Sequence, residues 1–148
     1  MQEAFHQHMR DNGGHIVNIV TTNRTGMGGM SHTSAARAGV KSLSQSMGAE
    51  WMQHGITINN VGPGVFASPT AVENYGPIGE VVFENTKKCV PAGSLGDIEN
   101  HLVAPIIFML SPGVIYTTGQ TLDVCGGLSL FNHYFAQYQS IMNGELKI

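Results

Sequence analysis

Three short runs rich in β-branched residues constrain this chain more than any other feature. The first, His15-Ile16-Val17-Asn18-Ile19-Val20, has no polar alternation and suits a strand covered on both faces. The second spans residues 56–61 and stops at Gly62-Pro63-Gly64. The third spans residues 118–124 and leaves into Gly126-Gly127. Between the first two, Ala36, Val40, Leu43, Met47 and Trp51 recur at spacings of three and four, which predicts a helix over residues 31–53 with that stripe turned inward. Ser31, Thr33 or Ser34 could cap its start, and Gly55 stops it. Residues 65–96 are long and irregular, with Pro69, Pro77 and Pro91, and short helices are expected near residues 68–73 and 79–86. Asp97 then caps a helix reaching about Leu110, which Pro105 should kink. Strand, helix, strand, helix, strand implies right-handed parallel crossovers and an α/β layered fold.

At the N-terminal end, residues 1–12 read as the tail of an amphipathic helix, with Ala4, Phe5, His8 and Met9 on one face and Gly13-Gly14 ending it. Residues 131–148 give no clear pattern.

Composition removes several classes of function. Charged residues make up only 11%, too few for a disordered chain, and the formal charge of −3 offers no basic field to nucleic acid or anionic lipid. Cys89 and Cys125 fit neither a metal spacing nor a disulfide framework and read as reduced thiols. No histidine pair sits at i,i+4 on an apolar helical face, so no metal site is expected. No apolar run approaches the roughly 20 residues of a membrane helix. The first residues lack the basic and apolar regions of a signal peptide.

The order of the segments carries a resemblance. Residues 13–19, then Ala35-Ala36-Arg37-Ala38-Gly39-Val40 with Ala49-Glu50-Trp51, then Gly55-Ile56-Thr57-Ile58-Asn59 with Val61-Gly62-Pro63-Gly64, then Thr118-Gly119-Gln120 through Val124 and Gly126-Gly127 resemble successive segments of the short-chain dehydrogenases/reductases. Thr70-Ala71-Val72-Glu73-Asn74-Tyr75-Gly76 is similar to the substrate loop of the peroxisomal trans-2-enoyl-CoA reductases within that family.

The resemblance implies a partial Rossmann-like, doubly wound parallel sheet, the C-terminal half of that fold with its first strands missing. It forms a single partial domain over residues 1–148. It implies NADPH-dependent reduction of trans-2-enoyl-CoA to acyl-CoA, with NADP(H) as cofactor, enoyl-CoA as partner, a homo-oligomer at full length and a peroxisomal location, or otherwise a cytoplasmic one. The last three residues, Leu146-Lys147-Ile148, are not the Ser-Lys-Leu address. The family's Gly-rich phosphate turn and its Asn-Asn-Ala-Gly stretch have no counterpart here. Gly26, Gly28 and Gly29 match the fingerprint poorly and read as a flexible loop. An apolar strand edge beside residues 15–20 is therefore expected to lie open, and the sequence reads as an incomplete product, inactive by itself. The alternative is a non-catalytic relative acting as a binding or oligomerisation module.

For the site, the resemblance implies catalytic roles for Thr21, Thr33, Arg37 and Tyr75 and cofactor contacts from Pro63, Gly64, Val65, Phe66 and Ser68. Most of the family carries a Tyr and a Lys where this chain has Thr33 and Arg37. Arg forks its donors and keeps its proton, so it can bind or polarise but cannot copy the Lys geometry. The enoyl-CoA reductases carry their Tyr and Lys one turn later, where Lys41 and Gln45 stand, and Lys41 reads equally as part of a solvated helix face. Thr21 or Thr22 could donate to a thioester oxygen or bond its own backbone. Tyr75 could donate or simply pack. Val81, Val82 and Phe83, with Phe108 and Met109, could line an acyl groove or belong to the core.

Overall fold

Three parallel strands, in the order β1-β2-β3, organise the molecule. They are β1 (Gly14–Ile19), β2 (Ile56–Pro63) and β3 (Thr121–Val124). The computed structural model describes residues 2–24 and 26–130. The expected tail over residues 131–148 lies outside them. β1 pairs with β2 from Gly14 opposite Ile56 to Ile19 opposite Val61, and β2 pairs with β3 from Asn60 opposite Thr121 to Pro63 opposite Val124.

The central strand is the most deeply buried, as a parallel strand covered on both faces must be. Its two faces meet different partners. Ile56 and Ile58 pack with Trp51 on one side, joined by Phe5, Met9, Ile16 and Met47. Val61 packs on the other with Met109 and Val114, joined by Val17, Leu102 and Ile106. The first face is covered by α2 (Ser31–Trp51) and by a short N-terminal helix, α1 (Gln2–Ala4), which continues as a π-helical turn over Phe5–Met9. Phe5 stacks on Trp51 with ring centroids 4.5 Å apart. Of the face expected on this segment, Phe5 and Met9 pack inward, whereas Ala4 and His8 are exposed. The second face is covered by α5 (Val103–Met109).

β1 borders the sheet and is half-buried along most of its length, and Ile19 is 52% exposed. Its two faces are covered, Ile16 packing with the first cluster and Val17 with the second, and the exposure comes from the lateral edge that was expected to lie open. A sheet covers each strand laterally with two neighbours, and β1 pairs with one among the described residues.

α2 differs from its expected orientation. Ser44, Gly48 and Trp51 are its buried residues, while Ala36 and Leu43 of the expected stripe are exposed. A backbone packed close on a sheet favours small residues over bulky ones. A Cβ on Gly48 would lie 2.5 Å from the Thr118 Oγ1. Ser44 donates to the Val40 carbonyl or to Asn60 and accepts from the Asn18 side chain. The expected side-chain cap is also absent, because Met30 occupies the N-cap position.

Between β2 and α5 come α3 (Pro69–Tyr75) and α4 (Gly79–Cys89), close to the expected short helices. Asp97 caps the next segment by accepting from the Asn100 N–H, but the first turn, Ile98–Leu102, is π-helical. Pro105 has no N–H for the His101 carbonyl, and the ladder is irregular in the turn ahead of it. β3 starts later than its composition suggests. The Asn59 side chain donates to the Thr117 carbonyl and accepts from the Gln120 N–H, and Thr118 Oγ1 accepts from the Ile58 N–H. These bonds hold residues 117–120 as a turn. Among the described residues no helix is long and apolar enough to cross a membrane.

Candidate functional site

A cleft of about 850 Å³ opens beyond the C-terminal ends of β1 and β2. Open parallel sheets bind ligands there because strand ends and helix starts converge. Its wall is built from three places: the segment after β1 (Thr21, Thr22), the first turns of α2 (Thr33, Arg37) and the chain leaving β2 (residues 63–66). α3 and Phe83 of α4 contribute the remaining side.

All nine expected site residues line this one cleft. The reason Thr33 and Arg37 reach it is the same rotation that exposed Leu43. On a helical wheel the buried Ser44 and Gly48 lie roughly 80° from the apolar stripe, and Arg37 falls on their side. The face that packs on the sheet thus runs on past the sheet's end and overhangs the cleft. The Thr21, Thr33 and Tyr75 hydroxyls make no hydrogen bond with other described residues, and Arg37 forms no ion pair there. Four polar groups therefore face one space with their donors uncommitted. Tyr75 packs edge-on to Phe83 at a centroid distance of 5.8 Å, which orients its ring.

Lys41 is not on a solvated face. It is half-buried, and its Nζ donates to the Asn23 Oδ1 at 2.6 Å, while Asn23 donates to the Ser34 carbonyl. Lys41 thus ties the loop after β1 to α2 and does not line the cleft. Arg24 fastens the same loop at a second point, 3.2 Å from the Asp123 Oδ2 on β3. That strap passes over Gly62, where a Cβ would sit 2.6 Å from the Asp123 Oδ1. The other Asp123 oxygen is buried without a partner among the described residues. Thr22 N–H also bonds the Pro63 carbonyl at 3.3 Å, so Thr21 is held against the β2 exit.

The chain leaving β2 has backbone to spare. Gly64 N–H bonds the Val124 carbonyl, and the Val65 carbonyl accepts from Gly96, but the N–H groups of Val65 and Phe66 have no partner among the described residues. Two free N–H groups on a cleft wall suit a flat amide such as that of nicotinamide. Ser68 accepts from the Ala71 N–H as the cap of α3, leaving its own proton free to donate. Pro63, Gly64, Val65, Phe66 and Ser68 are the residues here that could hold one end of a nicotinamide nucleotide. Gly26 and Gly29 have positive φ, and a Cβ on Gly26, Gly28 or Gly29 would meet nothing within 4 Å, which is an open loop rather than a cradle.

Sequence reasoning missed Arg24 and Met30 and gave Asn74 no role of its own within the loop over residues 70–76, and all three line the cleft. Asn74 follows Thr70 by four residues, so helical spacing on α3 carried the signal. Of the proposed acyl-groove residues, Phe83 lines the cleft, Met109 belongs to the core and Phe108 is 55% exposed. Among the described residues no three His, Cys, Asp or Glu side chains gather as a metal site, and both cysteines are free.

Residues 1–129 match the family described as enoyl-(acyl carrier protein) reductase. The chain belongs to the short-chain dehydrogenases/reductases. It is 33% identical over 121 residues to a 3-oxoacyl-[acyl-carrier-protein] reductase of Vibrio harveyi, covering 81% of this chain and 48% of that protein. It is 34% identical over 130 residues to the (3R)-3-hydroxyacyl-CoA dehydrogenase of Homo sapiens, covering 85% and 48%. Its fold is similar to a crystal structure of a variant actinorhodin polyketide ketoreductase with NADPH, at a TM-score of 0.66 and 30% identity, covering 78% of this chain and 47% of that one. The chain spans about half the length of the relatives it matches. As an oxidoreductase family member, it shares their α/β architecture with a parallel sheet.

Proposed function

We propose that the protein takes part in NADPH-dependent reduction of a trans-2-enoyl thioester, with coenzyme A as the carrier, to the saturated acyl thioester. The observation that carries this reading is that Thr21, Thr33, Arg37 and Tyr75 share one cleft with Val65 and Phe66, whose N–H groups have no partner among the described residues. Two of the relatives named above act, by their names, on a 3-oxoacyl-[acyl-carrier-protein] and on a (3R)-3-hydroxyacyl-CoA. The family description names an enoyl reductase.

When bound, NADPH supplies hydride to the substrate Cβ. The protein's own share is positioning and charge. Val65 and Phe66 N–H groups and Ser68 Oγ would hold the nicotinamide amide. Negative charge develops on the thioester oxygen, and the Thr21 or Thr33 hydroxyl donates to it while the Arg37 guanidinium stabilises the enolate. Tyr75 is the candidate proton source for Cα. Ketone reduction is less well served, since no Tyr and Lys occupy the positions of Thr33 and Arg37. The compartment belonging to this reading is the peroxisome, and the assembly is a homo-oligomer.

A second reading, a non-catalytic binding or oligomerisation module, draws on Lys41. Its bond to Asn23 commits it to holding a loop, and Gln45 one turn on is exposed. Supplying NADPH with trans-2-enoyl-CoA to a version that restores the first strands of the fold separates the two. The first reading requires NADPH loss and acyl-CoA formation, with 3-oxoacyl-CoA a poorer substrate. Self-association without turnover of any acyl thioester would leave only the second. Within the first, Tyr75→Phe in that full-length version is expected to lower kcat by about a hundredfold with little change in KM. Unchanged kinetics would remove Tyr75 as the proton source.

A further inference from the structure

The cleft has a neighbour. A second cavity of about 500 Å³ lies behind the chain leaving β2, between β3, the segment over residues 90–96 and the start of α5. Val65 and Phe66 are the residues common to both linings. Val90, Leu95, Pro105, Leu122 and Val124 give the second space an apolar interior, and Ser94 and His101 stand among its polar lining. Its size falls within the range of roughly 300–1,000 Å³ typical of small-molecule sites.

The partition between the two spaces is thin. The Phe66 ring lies directly on Gly96, where an added Cβ would come within 2.4 Å of two ring carbons. A parallel bridge joins Phe66 to Gly96, and the Gly96 N–H bonds the Val65 carbonyl at 3.0 Å. Glycine at position 96 is thus what lets the ring settle as a wall. An alkyl chain extending from a thioester in the cleft toward β3 meets this one aromatic side chain and then an apolar space.

We propose that the second cavity receives the alkyl tail of the acyl substrate and that Phe66 determines how far the tail reaches. This rests on the acyl-thioester reading above and adds the specificity-determining element to it. Apolar burial in the cavity increases affinity by about fourfold per methylene. Affinity therefore climbs with chain length for as long as the cavity has room, and it is lost in steps when the cavity is filled.

Calorimetric titration of the full chain with saturated acyl-CoA thioesters of short and long alkyl chains, and separately with n-dodecanol, tests this. Ser94 lines the cavity, is exposed and makes no side-chain hydrogen bond among the described residues, so Ser94→Phe fills the space from its rim. Ser94→Phe is expected to weaken the long thioester and dodecanol at least tenfold and the short thioester less than twofold. Phe66→Ala is expected to strengthen the long thioester relative to the short one. A long-to-short ratio unmoved by both variants overturns the proposal, and so does dodecanol binding that ignores Ser94→Phe. Dodecanol binding lost in Ser94→Phe, with no thioester bound by any form, would retain the apolar-tail site and sink the acyl-CoA reading instead. Circular dichroism of each variant confirms that the fold is retained.

Discussion

Asn60→Leu should lower the unfolding free energy by about 3 kcal/mol, a large share of the roughly 5–15 kcal/mol that holds a domain together. Asn60 is fully buried in the central strand. Its Oδ1 receives the Ser44 hydroxyl at 2.7 Å and the Asn18 amide at 3.4 Å, and its Nδ2 donates to the Gln120 carbonyl and to Thr121 Oγ1. One side chain therefore links β1, α2 and β3 through β2. Leucine has similar bulk but strands its former partners in a space that water does not reach, and each stranded group costs its desolvation. Ser44→Ala should cost only about 1 kcal/mol, since Asn60 keeps its other partners. In the double variant the losses should fall short of additive, because the second change removes a bond the first has already broken. Denaturant midpoints for the three variants measure this. A cost below 1 kcal/mol for Asn60→Leu, or strict additivity, would mean that the network is not a connected unit.

That network marks where sequence reading runs out. The strands and their parallel order were legible because β-branched runs ended by glycine, with a helix between, leave few other arrangements. The cleft residues were named through the family resemblance, and the fold brings those after β1 and β2 together with those on α2 and α3. The roll of α2 was not legible. Apolar periodicity points at Ala36 and Leu43, yet close packing on the sheet was achieved with Ser44 and Gly48, and a serine contributes nothing to an apolar count. Its buried hydroxyl is tolerable only because Asn18 and Asn60 meet it, and they lie on two other elements. Lys41 escaped for the same reason. Its partner Asn23 sits in a loop whose path no periodicity describes. The Arg24–Asp123 strap joins residues 99 positions apart across the end of β2, a contact only the folded sheet creates.

Gly64→Ala is expected to be the most damaging small change at the cleft. Its Cβ would lie 2.8 Å from the Cys125 Cα and 2.9 Å from the Cys125 Cβ, and the nearer of these is backbone, which cannot swing aside. Here β2 and β3 are still joined beyond their paired residues, by the Gly64 N–H bond to the Val124 carbonyl at 2.9 Å. A methyl group must push the two chains apart, at a cost of about 2 kcal/mol. The displacement is carried directly into Val65 and Phe66, whose N–H groups have no partner among the described residues and which line both the cleft and the second cavity. On the proposed reading, NADPH affinity should fall at least about tenfold, an effect the stability loss alone does not produce while the protein remains folded. Gly28→Ala is the matched control, because a Cβ there meets nothing within 4 Å and its φ is not positive. It should leave both melting temperature and NADPH binding unchanged. If Gly64→Ala melts like the parent and binds NADPH equally well, the β2 exit does not hold the nicotinamide, and the amide site must be sought along another wall of the cleft.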